Sequence, residues 1–266
     1  MPPPASEIAH LAQGHYRARL SLTQRIESLV VAKLGRFDGW YSPVLVDELS
    51  AEVARLVGAG QVGVGQVTDG YLARTTSLVL GRPVSATGIG SQMTGTLRTG
   101  VTSAVEVYAR LGEEYRFRRS LGLSDDAARQ LTIDRARKMV ESDLGLAFRE
   151  TAYRVNGRHQ VQRYRRIVNS SRPCGLCIAA SDRIYRNVQK VALHPGCHCG
   201  VITVTHATDP GSQLNNDTLA EVYAAAGGAE AAKLRATRFE VVEHGELGPQ
   251  LRVVGQHFRG PSEVAA

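Results

Sequence analysis

All four cysteines of this 266-residue chain fall within 26 consecutive positions, Cys174 to Cys199. Cys174 and Cys177 form a C-x-x-C, Cys197 and Cys199 form a C-x-C, and His194 stands three residues before Cys197. Nineteen residues separate the two halves, enough for a short helix or hairpin that folds back and brings the sulfur pairs together. Thiolates with an imidazole beside them suit a tetrahedral zinc ion, with Zn–S distances of about 2.3 Å. The candidate ligands are Cys174, Cys177, His194, Cys197 and Cys199. All four could be cysteine, or His194 could replace Cys197 or Cys199, because a C-x-C pair cannot always turn both sulfurs inward.

Other chemistries use the same residue types. Two disulfides would need an oxidising compartment. A thioredoxin-like redox pair is compatible with Cys174-Gly175-Leu176-Cys177 after a strand-like run, but leaves the second cysteine pair and the histidine without a role. A zinc deaminase needs H-x-E upstream of P-C-x-x-C. The second half is present from Pro173, but none of His10, His15 and His159 has Glu two residues on, and His244-Gly245-Glu246 follows the cysteines. That reading is rejected. A closed structural zinc site uses every ligand and leaves no open position for catalysis.

The chain before residue 150 reads as helices. Ile8, Leu11, Leu22, Ile26, Leu29, Val30 and Leu34 recur at three-to-four spacing. Ser42-Pro43 offers an N-cap and a proline at the first helical position, predicting a helix to about Val57 with Val44, Leu45, Leu49, Val53 and Leu56 as its face. Gly58 to Gly65 predicts a flexible connector, 67–80 a further helix, and the Gly/Ser/Thr-rich 81–100 an exposed loop or hinge. Helix returns at 101–119. Ser124 caps another, running to about Tyr153, with Asp125 and Asp126 at the positive end of its dipole. Its expected buried stripe is Leu131, Met139, Val140, Leu144 and Phe148.

The pattern then changes. Val161 to Val168 predicts a strand entering the cysteine segment, and the β-branched alternation of 200–206 a strand leaving it. Asp209-Pro210-Gly211 reads as a turn. Asn216-Asp217 caps a helix to about Leu234, weakened by Gly227 and Gly228. Phe239–Glu243 and Leu251–Val254 read as two late strands with a Gly-Pro turn between them.

The formal charge is +7 with a pI near 9.5, which favours anionic partners. Seven arginines against the single acid Glu150 lie between Arg149 and Arg172, and Arg116, Arg118 and Arg119 extend the basic region. Arg158, Arg163, Arg165 and Arg166 are the candidate nucleic-acid-binding residues, since guanidinium groups contact phosphate without regard to sequence. The competing reading is a solvated face, or arginines paired with acids elsewhere. There is no G-x-S-x-G elbow and no H-E-x-x-H helix, so no catalytic residue is assigned. No signal peptide is expected from the first residues, nor any bilayer-spanning run, which points to a reducing cytosol.

The order basic strand, C-x-x-C, Tyr185, H-P-x-C-x-C and alternating strand resembles the MuF-type head morphogenesis domain, found in minor capsid proteins of tailed bacteriophages. His244-Gly245-Glu246-Leu247-Gly248-Pro249 with Gly255-Gln256-His257-Phe258 resembles the actinobacterial-phage members. The likeness spans Val140 to Phe258. The part before it fits the family only in being helical. From the residue patterns above together with this likeness, the chain reads as a predominantly α-helical α+β fold: a helical assembly region over 1–150, and a MuF-like α+β module over 151–266 built round a Cys/His zinc knot. The likeness further implies virion assembly near the portal, with portal or major capsid protein as partner, packaged DNA as a further contact, and neither membrane nor small-molecule substrate. The location would be the virion head interior, and the host cytoplasm during assembly. Two alternatives stay open: a capsid maturation protease, as actinobacterial-phage relatives are often labelled, and a zinc-ribbon nucleic-acid-binding protein.

Overall fold

The computed structural model describes residues 5–95, 103–161, 163–168, 175–181, 183–186, 199–205, 209, 216–244 and 248–255. The chain is predominantly helical with a small sheet, as the sequence predicts. Four helices make the body: α1 (Ala5–Gly35), α2 (Pro43–Leu80), α3 (Ala104–Ser120) and α4 (Asp125–Arg158). Ser42, Ser103 and Ser124 cap α2, α3 and α4, each side chain accepting a backbone N–H of the first turn. These hydroxyls satisfy donors that the helix itself cannot.

Residues 58–65 are not a connector. They lie in the middle of α2, which runs unbroken for 38 residues. Their glycines serve close approach. A Cβ on Gly60 would come within 2.7 Å of Ile26, and one on Gly65 within 2.3 Å of the Gly90 carbonyl oxygen. Packing gained on these bare faces offsets the weak helix propensity of glycine, roughly 1 kcal/mol per residue against alanine.

The segment after α2 is likewise no free hinge as far as residue 95. It runs back along α2 as a strap. Ser77 Oγ bonds both backbone groups of Val84, Asp69 accepts from Thr87 N (2.9 Å) and Oγ1 (3.0 Å), and Gly90 lies against Gly65. A short 3-10 turn, Ile89–Gln92, makes the closest approach.

The main core joins all four helices through Leu34, Trp40, Val53, Leu72, Tyr108, Leu111, Val140, Leu144 and Phe148. The face expected on α2 is rotated: Val44 and Leu45 are exposed, and burial begins at Val46 and Leu49. On α4, Val140, Leu144 and Phe148 are buried as expected and Met139 is partly so, but Leu131 is exposed. Trp40 stacks on Tyr115 at 4.5 Å and meets Phe37 edge-on, locking the α1–α2 turn onto α3.

Beyond α4 comes a three-stranded antiparallel sheet, β2-β1-β3, of β1 (Tyr164–Ile167), β2 (Ile184–Tyr185) and β3 (Gly200–Thr203). Helix α5 (Gly175–Ser181) follows β1. Later come α6 (Asn216–Ala225), α7 (Ala231–Ala236) and the hairpin β4 (Phe239–His244) with β5 (Gly248–Val253). The single helix expected over 216–234 is thus split at Gly227 and Gly228, both at positive φ. Gly248-Pro249 pairs within β5 instead of forming the turn.

β3 docks on the helical body. Val201 belongs to the main core, Ile202 and Val204 pack with Ile8 and Val79, and all three are buried. Tyr71 donates to the Val201 carbonyl at 3.0 Å, and the Thr76 and Thr203 hydroxyls lie 3.0 Å apart. Behind Tyr71 sits a buried polar stack. His15 lies parallel to the Tyr71 ring at 4.2 Å with Nε2 3.1 Å from Thr68 Oγ1, and Arg19 covers the Phe148 face. Burial, helped by the charge of Arg19, holds the His15 imidazole well below its ordinary pKa.

Candidate functional site

The cysteine segment is positioned from β1 outward. β1 is the middle strand, so both its edges are paired, and the burial of Tyr164, Arg165 and Arg166 in succession means that both its faces are covered as well. Gly175 opens α5 against Phe239 and Leu234, where a Cβ would approach Phe239 to 2.8 Å, and its N–H donates to Thr237 O. Ile178 faces Val222, Leu234 and Phe239, while its neighbour Cys177 turns to another side and packs with Cys199 and Val168. Cys177 and Cys199 are 4 % and 5 % exposed. One sulfur from each half of the motif therefore enters a single buried cluster. Cys174, His194 and Cys197 lie outside the described residues, and among the described residues no group of three or more metal-ligating side chains occurs.

The arginines divide. Arg165 is buried: Nε and Nη2 grip Asp209 (2.9 and 2.5 Å), and Nη1 donates to Ser181 O at 3.0 Å. It ties the end of α5 to the chain beyond β3. Arg166 has no exposed surface, and its guanidinium lies 5.9 Å from the Tyr185 ring centre. The expectation that both would face nucleic acid is corrected. They stand on a strand covered on each side, where a charge is retained only with partners at hand.

The supplementary basic group is also engaged internally. Arg116 donates to Trp40 O, Arg118 to Glu114 and Arg119 to Leu123 O. Arg163 is half-buried before β1, and Arg158 is exposed in the last turn of α4. Arg158 and Arg165 thus serve different places in the fold.

Arg158 lines an open groove of about 510 Å³ with Arg82, Ser85, Thr87, His159 and Gln160. His159 Nε2 is 3.2 Å from Ser85 O and closes one wall. Sequence reasoning did not connect Arg82 with Arg158, because only the return of the strap along α2 brings them to one groove. Gln160 closes α4 with φ 55°, bonding through its own N–H to Gly157 O while Val161 N–H reaches Asn156 O. That paired closure usually carries glycine at the left-handed position. α3 and α6 close in the same way with Gly122 and Gly227 there.

Among the described residues no helix is long and apolar enough to cross a membrane. Compared with family models, curated proteins and solved structures, the chain matches none.

Proposed function

We propose that this chain is a minor capsid protein of the MuF type, acting in head assembly near the portal of a tailed phage. Its Cys/His segment would be a structural zinc staple. The observation that carries the staple is the meeting of Cys177 and Cys199, which come from opposite halves of the motif and are buried together; the head-assembly role rests on the motif's resemblance. Burial fits thiolates shielded by a metal, and disfavours an attacking thiol, which needs access. Cys174 and a choice among His194, Cys197 and Cys199 would complete the ligand set with Cys177. The metal would supply folding energy to the module, with no step of chemistry.

The test has two parts. Purified protein should carry about one zinc per chain by elemental analysis. Co-expressed with the portal and major capsid proteins of the same phage, it should cosediment with procapsids. A metal-free protein with both cysteine pairs oxidised removes the staple, and particles that assemble normally without the chain remove the role. Cys177→Ser separates scaffold from protease: the staple predicts lost zinc and a protease-sensitive C-terminal module. A folded, zinc-loaded Cys177→Ser protein that leaves capsid subunits uncleaved would establish the enzyme instead.

A further inference from the structure

The groove between the strap and the end of α4 has a charge arrangement that the zinc segment does not explain. Among the described residues its lining includes two exposed arginines, Arg82 and Arg158, and no carboxylate. Neither arginine forms an ion pair among the described residues, in contrast to Arg118, Arg129, Arg135, Arg154 and Arg165. The nearby acid, Asp69, is buried behind Thr87 and committed to its N–H and hydroxyl. Two helix C-termini face the groove, each with roughly half a negative charge. Two full guanidinium charges outweigh them. Ser85, Thr87 and Gln160 add polar groups, and Gln160 occupies a left-handed position where glycine would be less strained.

We propose that this groove binds the phosphate backbone of a nucleic-acid strand through Arg82 and Arg158. The groove is open, so a polymer can enter and leave it. Among the described residues its lining has no Phe, Tyr or Trp, and the one aromatic ring, His159, is held against Ser85 O at 3.2 Å, so contact would be mainly to phosphate and sugar and would be indifferent to sequence. A free phosphate ester shares the chemistry, and the test separates the two. The inference is independent of the head-assembly reading and of the zinc site.

The experiment measures binding of the full chain to fluorescently labelled duplex DNA of two unrelated sequences between 50 and 200 mM salt. Wild-type protein should bind both alike. Arg82→Ala with Arg158→Ala should lower affinity, and should flatten the slope of log K against log salt by about 1.8, or 0.9 per lost phosphate contact. Arg17→Ala with Arg25→Ala removes the same charge from exposed positions on α1 and should change affinity less than about twofold. Should the double variant fail to fold, Arg158→Gln alone should reduce the slope by about 0.9. Equal losses from both pairs would mean that net charge alone attracts DNA and would overturn the proposal. So would absence of wild-type binding at 50 mM salt, or binding of inorganic phosphate at the arginine pair without binding of DNA.

Discussion

At the scale of single residues, the fold sets charge and strain where composition cannot. Gln160 is the plainest case. It adopts φ 55° at the closure of α4, where α3 and α6 use glycine. Gln160→Gly should stabilise the protein by about 1 kcal/mol, measured by urea unfolding, because a left-handed backbone costs a side-chain-bearing residue about that much. If the groove binds phosphate, the same variant should be more stable without binding DNA better. His15 gives a pH signature. Its folded pKa lies below the unfolded value near 6.5, so the unfolded chain takes up the proton first as pH falls. Stability is therefore unaffected by this group above about pH 7, and declines below 6.5 by up to about 1.4 kcal/mol per pH unit until the folded group titrates. His15→Gln should flatten that decline between pH 6.5 and 5, whatever its effect at pH 8. Carboxylates such as Asp125, whose pKa is lowered by the Tyr115 hydroxyl and Arg129, act only at lower pH.

At the scale of elements, the starts of α2 and α4 were legible because each has a local chemical cause. Ser42-Pro43 and Ser124-Asp125-Asp126 announce α2 and α4, and the structure begins both helices there. The strand around Tyr164 and the strand from Gly200 were legible from β-branched and aromatic alternation. The centre of α2 was not, because glycine reads as a breaker unless the neighbour that exploits its bareness is known. Two substitutions in this one helix test the explanation. Gly70 has open space around it, so Gly70→Ala should stabilise by up to about 1 kcal/mol. Gly65→Ala would drive a Cβ into the Gly90 backbone, and should destabilise by roughly 2 kcal/mol or more, with the strap displaced. Equal effects at the two positions, read by thermal unfolding, would mean that the strap does not need the approach. The candidate site was half legible for the same reason. Cysteine spacing brought out Cys177 and Cys199 without any fold, whereas the burial of Arg165 and Arg166 depends on both faces of β1 being covered, which adjacency in sequence does not reveal.

At the scale of the whole molecule, the sheet and the helices share a core. Val201, Ile202 and Val204 are buried against α1 and α2, and fully burying such side chains is worth about 1.5–3 kcal/mol each. A fragment ending at residue 161 should therefore unfold at distinctly lower urea than the full chain, having lost roughly 5 kcal/mol or more of the 5–15 typical of a domain. An unchanged midpoint, followed by helical circular dichroism, would mean that the helical body is self-sufficient. The docking of β3 also has a consequence in time. α4 ends at Arg158 and β3 begins at Gly200, so a ribosome adding about 5–20 residues per second needs about 2–8 s to deliver the strand that covers Ile8, Tyr71, Thr76 and Val79. During that interval the nascent helices offer an uncovered apolar seam with an unmatched tyrosine hydroxyl, and another copy's β3 fits it as well as their own. Crowded polysomes should accordingly yield exchanged dimers, and slower initiation should favour monomers.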